Sequence, residues 1–206
     1  MNRIETIYSY IDENDKVVDV GCDQAKLSIM LSQRNQSSIA VDISEKVIEK
    51  AKRNIKSDLI DLRVSNGLEN VNSNEVDTLV LSGMGTHTIL EIISKSNIKF
   101  KKIITISNNY HSILREKMND LGYKIELEEI IKEKNKYYNL ILFIRGNNNL
   151  TEEEILLGKN HVNKELYNEY LNYLLKKYSK IKETSKDKNN NIDKLINSIN
   201  KILELE

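Results

Sequence analysis

Lys16-Val17-Val18-Asp19-Val20-Gly21-Cys22-Asp23-Gln24-Ala25 is the stretch on which the fold turns. Its first half is a short run rich in β-branched residues, as a strand covered on both faces of a sheet requires. Gly21 follows at once, where a tight turn needs positive φ or a ligand must lie against bare backbone. Beyond it, apolar residues recur at helical spacing over residues 24–34, so the segment opens a strand–turn–helix unit.

The same alternation continues outward. Runs at 38–41, 62–65, 76–81 and 102–106 read as buried strands, and residues 44–56, 87–94 and 111–121 read as helices. Strands alternating with helices build a parallel sheet with helices on both faces. The pattern changes at 123–131 and 138–144, two strands separated by little more than Lys132-Glu133-Lys134-Asn135-Lys136. So short a connection cannot hold a crossover helix, and the two strands must be antiparallel neighbours. An α/β fold whose mostly parallel sheet ends in an antiparallel hairpin is the pattern of a class I methyltransferase, with a generic Rossmann-like domain as the alternative.

After an Asn-rich linker, Thr151-Glu152-Glu153-Glu154 reads as a helix N-terminus with acidic first-turn residues. Apolar residues at Leu166, Tyr170, Tyr173, Leu174 and Ile181, then at Ile192, Leu195, Ile199 and Ile202, predict two long helices. The first spans 155–183, and the pair joins near 187–191 as an antiparallel helical hairpin or coiled coil. The expected division is residues 1–146 as a Rossmann-like catalytic domain and 151–206 as the hairpin.

Among 206 residues, 31 Lys+Arg balance 31 Asp+Glu, which argues against an indiscriminate binder of nucleic acid. One cysteine forms no intramolecular disulfide, and three scattered histidines offer no metal cluster. No apolar run approaches a membrane span and no signal-peptide core opens the chain, so a soluble, cytoplasmic, metal-free protein is expected, plausibly a monomer.

In open α/β sheets, ligands bind beyond the carboxyl ends of the strands. Those ends carry Asp19, Gly21 and Asp23; then Asp42 and Ile43; then Asn66 and Gly67; then Ser82, Gly83, Met84 and Gly85. Asp42 follows the first turn by about twenty residues, the spacing at which a carboxylate accepts hydrogen bonds from ribose hydroxyls. The third glycine of GxGxxG is missing and no GxxxxGK[ST] loop exists, which disfavours a pyrophosphate. S-adenosylmethionine has a ribose and no phosphate, and is the expected cofactor.

In order, DVGCDQAKL (19–27), AVDIS (40–44), SNGLENV (65–71), LSGMGTHTI (81–89), SNNYHSILRE (107–116) and KYYNLILF (136–143) resemble the bacterial TrmK family. That resemblance implies an S-adenosylmethionine-dependent tRNA (adenine-N1)-methyltransferase acting at position 22, with a C-terminal helical hairpin for tRNA. It places Asp19, Gly21, Asp23, Asp42, Ile43, Asn66, Gly67, Ser82 and Gly83 around the cofactor, and Gly83, Met84, Gly85, Asn108 and Asp23 at the reacting centre. Asn108 is the expected polar reader of the base, and Asp23 the carboxylate that stabilises the methylated cation. The sequence departs from the family at Gln24 (commonly His), Asn66 (Asp), Thr86 (Gly), Ile106-Ser107 (Gln-Pro) and Asn139 (Glu). Because Ile106-Ser107 removes a polar side chain and a rigid turn beside the expected target-base pocket, a catalytically weak RNA-binding homologue and a class I enzyme with another substrate are the competing readings.

Two lysine clusters are masked by the zero net charge. Lys95, Lys99, Lys101 and Lys102 form one, and Lys176, Lys177, Lys180, Lys182, Lys186 and Lys188 the other. Either is a solvated face by default. The resemblance makes Lys95, Lys99, Lys176, Lys177, Lys180 and Lys182 candidates for tRNA phosphates.

Overall fold

The computed structural model describes residues 1–147, 149–184 and 190–204. Five parallel strands, β1 (Val17–Val20), β2 (Ser38–Asp42), β3 (Ile60–Val64), β4 (Thr78–Met84) and β5 (Lys102–Ser107), are completed by the hairpin β6 (Tyr123–Glu133) and β7 (Lys136–Arg145). The sheet order is β3-β2-β1-β4-β5-β7-β6, with β7 antiparallel to both its neighbours. Helices α2 (Lys26–Gln33), α3 (Glu45–Asn54), α4 (Thr86–Lys95) and α5 (His111–Asp120) follow the strands that the alternation predicts.

Period-two alternation sorts the core into two layers. Val18, Val20, Leu79 and Leu81 pack with Ile89, Ile93, Leu114 and Met118 of α4 and α5. Val17 and Val80 point the other way, against Leu27 and Leu31 of α2. Val20 lies level with both Val41 and Leu81, so the ends of the three central strands are flush and their turns share one rim.

Helix α1 (Arg3–Ser9) is an element the hydrophobic spacing does not announce. Its signal is polar: Asn2 accepts from the N–H groups of Ile4 and Glu5, and Glu5 accepts from the Asn2 N–H, a capping box. Ile7 is buried against α2, which seats α1 beside the first turn.

The long helix expected over 155–183 is instead two, α6 (Glu152–Leu157) and α7 (Lys164–Thr184). Gly158 makes the break, at φ +93, and a Cβ there would stand 2.6 Å from both carboxylate oxygens of Glu128. The chain then runs beside β6, the Glu128 N–H donating to Asn160 and the Val162 N–H to Glu128. Gly158→Ala should therefore destabilise the fold by about 2 kcal/mol or more, read as a lowered denaturation midpoint at unchanged m-value.

Helix α8 (Asn190–Glu204) returns along α7, and Leu157, Tyr167, Leu171 and Ile199 bury one another with Ile130 of β6. Of the predicted joint at 187–191, residues 187–189 lie outside the described residues, as do Lys186 and Lys188. No described helix is long and apolar enough to cross a membrane.

Candidate active site

Hydrogen bonds draw the first turn against β2. The N–H groups of Gly21 and Cys22 both donate to the Val41 carbonyl, at 2.9 and 3.0 Å. Asp42 is fixed from two sides, accepting from the Ser44 N–H at 2.9 Å and from the Asp23 N–H at 3.4 Å. Three carboxylates, of Asp19, Asp23 and Asp42, thus share the rim.

They are not equivalent. Asp19 is buried, and burial first and the Asp42 charge second push its carboxyl up to about 7. Asp23 is exposed and does not cap α2, whose N-terminal residue Ala25 has no side-chain cap. Burial and the neighbouring carboxylates raise the Cys22 thiol to about 12, which makes it a packing residue with no thiolate chemistry. Ile43, beside Asp42, leaves 70% of its surface in water, an apolar side chain with room for a ring above it.

Gly83 lies inside β4, at a register shift between Ser82 and Met84. This bulge holds it at φ +82, and a Cβ there would meet nothing within 4 Å. The backbone is bare and faces open space. Met84 reaches across the rim, its terminal methyl 3.0 Å from where a Gly21 Cβ would be. Gly85 has an ordinary extended conformation as the N-cap of α4, so the backbone there does not require glycine.

Asn108 closes the bulge from β5. Its backbone N–H donates to the Met84 carbonyl at 2.9 Å, and its Nδ2 donates to the Gly83 carbonyl at 2.8 Å. One amide N–H is therefore committed to shaping the turn, leaving the amide oxygen for a base edge. Two departures from the family pattern meet behind it: the Thr86 and Ser107 hydroxyls lie 2.7 Å apart, buried, and Thr86 also donates to the Asn109 carbonyl. That network holds the turn without proline. Ile106 is fully buried in the sheet core, and Asn139 is buried against Arg115 and Glu128, with its amide turned to accept from the former and donate to the latter. Gln24 lines a cavity beside Gly21.

A cavity of about 290 Å³ is lined by Asp19, Gly21, Asp23, Gln24, Ser82 and Gly83, and roofed by Arg3, Ile4 and Ile7 of α1. A larger one, about 750 Å³, runs from Gly83 and Asn108 to α7. Asp42, Ile43, Met84 and Gly85 line neither cavity, and Asn66 and Gly67 line a separate hollow of about 420 Å³ with Ile92, where Asn66 donates to Glu69 at 2.8 Å.

The sequence reading missed three residues here. Arg3 borders both of the cavities that share Gly83 and is anchored to Glu133 of the hairpin at 3.1 Å. Lys26 lines the smaller one. Tyr110 is held at φ +50, is 58% exposed, and packs on His87 with ring centroids 5.7 Å apart. A left-handed tyrosine leaves no signature in sequence, whereas Arg3 was findable through the Asn2–Glu5 box.

The lysine clusters separate. Lys102 pairs with Asp12 and Asp15, Lys101 with Asp77, and Lys95 with Glu91. Lys102 is level with Thr78 at the amino ends of the strands, so it, Lys101 and the adjoining Lys99 lie at the edge of the sheet opposite the rim. Lys95 is in the last turn of a ten-residue α4, about 15 Å from the end that meets the site. Lys182 is paired with Asp193 at 2.6 Å, whereas Lys176, Lys177 and Lys180 are exposed.

A seven-stranded sheet of this order, with a glycine turn after β1 and an acid after β2, defines a class I methyltransferase, and residues 1–141 match the methyltransferase domain family. M. capricolum TrmK, solved in complex with S-adenosyl-homocysteine, is 30% identical, with a TM-score of 0.83 over 100% of this chain and 96% of that one. The chain belongs to the TrmK family. The tRNA (adenine(22)-N(1))-methyltransferase of Bacillus subtilis is 28% identical over 165 residues, 76% of this chain and 69% of that protein. A Streptococcus pneumoniae structure in complex with S-adenosyl-L-methionine is 25% identical, with a TM-score of 0.86 over 98% of each chain.

Proposed function

We propose that this chain methylates N1 of adenine 22 in tRNA, with S-adenosylmethionine as the methyl donor. The observation that carries the reading is that the cavity beside Asp19 and the cleft facing α7 share Gly83 in their walls. A side chain there would project into the passage between donor and acceptor.

The residues suit the cofactor. A buried carboxylate at Asp19 calls for a cation, which the cofactor's ammonium provides. Gly83 leaves room for it, Asp42 offers acceptors for ribose hydroxyls, and the exposed Ile43 beside Asp42 would border the adenine ring. Bound S-adenosylmethionine supplies an electrophilic methyl on a sulfonium.

The nucleophile is a ring lone pair, so the chain needs no activated serine or cysteine. Its task is positioning with water excluded, which is where most of the acceleration arises. N1 is on the Watson–Crick edge, so the adenine must leave its stack to reach Gly83. The Asn108 amide oxygen can then accept from the adenine amino group, and the exposed Asp23 carboxylate can stabilise the cation that methylation creates. Asp23→Asn should lower single-turnover methyl transfer at saturating cofactor, and full transfer there would remove Asp23 from that role.

Asn108→Ala removes the Gly83 clamp and the base reader together. We expect methyl transfer from labelled cofactor into unmodified tRNA to fall about 100-fold, with cofactor affinity within a factor of two of wild type. Undiminished transfer would remove Asn108 from the site. The Thr86–Ser107 network favours an active enzyme over a degenerate homologue, because the pocket turn is held by other means. The phosphates of the tRNA are assigned to Lys176, Lys177 and Lys180 on the exposed face of α7, with Lys95 and Lys99 set aside.

A further inference from the structure

We infer that the cleft between the 107–111 loop and α7 is a second nucleotide subsite, in which the base beside the target adenine stacks on Tyr137 and Tyr173 while Lys136 and Lys177 hold its phosphate. This rests on the tRNA reading above and adds to it a role for α7 in base recognition. The cleft, about 750 Å³, is continuous with Gly83 and Asn108 at its inner end.

Its outer wall is aromatic. The Tyr137 ring lies 5.0 Å from Tyr173 and 5.4 Å from Tyr170, and the last two are nearly parallel, at 21°. Glu169 accepts from the Tyr137 hydroxyl at 2.6 Å and fixes that ring's tilt. Tyr170 is half-buried behind, whereas Tyr173 leaves 43% of its surface exposed in the cleft. Positions 170, 173 and 177 are three and four residues apart, which puts Lys177 on the same helix face as the rings.

Charge separates this wall from an ordinary packing cluster. Lys132, Lys182, Lys194 and Lys201 each pair with a carboxylate. Among the described residues, Lys136 and Lys177, both lining the cleft, have no carboxylate within ion-pair distance. Tyr137 is half-buried, with the Lys132 ammonium 5.6 Å from its ring centroid, and Lys177 lies 5.6 Å from the Tyr178 centroid, so the wall offers the exposed Tyr173 ring edged by two cations, Lys136 and Lys177, that no described carboxylate neutralises. An exposed ring beside such cations is the combination that holds single-stranded nucleic acid: a face for the base and a charge for the backbone. An adenine drawn out to Gly83 unstacks its neighbour, and this wall offers the replacement stack.

The test compares wild type with Tyr173→Ala, Tyr173→Phe and Lys177→Ala, using a tRNA transcript that carries 2-aminopurine beside the target adenine. Tyr173→Ala should weaken tRNA binding about tenfold or more and abolish fluorescence quenching on binding, with cofactor affinity and melting temperature unchanged. Tyr173→Phe should retain both properties. Lys177→Ala should weaken binding and reduce the slope of log affinity against log salt by about one charge. If Tyr173→Ala binds and quenches like a wild type that methylates tRNA, the subsite is wrong and the methyltransferase reading survives. Equal losses in the Ala and Phe variants would overturn stacking. A wild type that binds cofactor yet neither binds nor methylates tRNA would overturn both.

Discussion

Glu128→Ala lowers the stability of the protein by about 3–5 kcal/mol, a fall in melting temperature of roughly 10 °C for a chain of this size. Glu128 and Arg115 form a two-pronged ion pair at 2.8 and 2.9 Å, with side chains 0% and 1% exposed. The Lys159 N–H also donates to Glu128, and Arg115 donates to the carbonyls of Ile155 and Leu156. One buried pair thus joins α5 and β6 to the ends of α6 and the turn after it. Truncating the acid strands a guanidinium without its counter-charge, which is far costlier than removing both charges. The double substitution Arg115→Met/Glu128→Leu should recover a substantial part of the loss in thermal denaturation. Equal destabilisation by the double and single variants would show that shape, and not charge, holds the junction.

Asp19→Asn is the second large effect, and its sign depends on pH. The carboxyl titrates at about 7 in the folded chain against an ordinary 3.8, so burial disfavours its ionised form. Below pH 3.8 both folded and unfolded states are protonated and there is no penalty. Between 3.8 and 7 the folded state keeps a proton the unfolded state has released, so stability falls as pH rises; above 7 the full penalty persists. The displacement corresponds to about 4 kcal/mol. Without cofactor, Asp19→Asn should therefore be more stable than wild type at pH 8, with the gain vanishing near pH 4. In the same variant cofactor affinity should drop about 100-fold, because the charge that burial disfavours is the proposed partner of the cofactor's ammonium. A variant equally stable at both pH values would contradict the assigned titration.

Much of this was legible in the chain. The parallel half of the sheet announces itself because strands such as Val17–Val20 are covered on both faces and must be apolar throughout. The hairpin is fixed by the shortness of its connection, and the place of Asp42 at the end of β2 by the apolar run before it. What escaped depends on contacts between distant residues. Helical periodicity runs through Gly158, and only Glu128, thirty positions earlier, makes a break there necessary. Lys101 and Lys102 look like a basic patch until the fold supplies Asp77, Asp12 and Asp15. Asn108 reads as a base contact, yet one of its two amide N–H groups is committed to Gly83. The cleft facing α7 joins positions more than thirty residues apart, and no local pattern encodes it.

The central claim is that the methyl group goes to N1 of adenine 22. The most direct measurement is reverse transcription through an unmodified tRNA transcript after incubation with the protein and S-adenosylmethionine, since a methyl on N1 blocks pairing. The account predicts a cofactor-dependent stop at adenine 22 that disappears when that base is replaced by guanine. A stop at any other position, or full-length product from a protein that binds the cofactor, would contradict it.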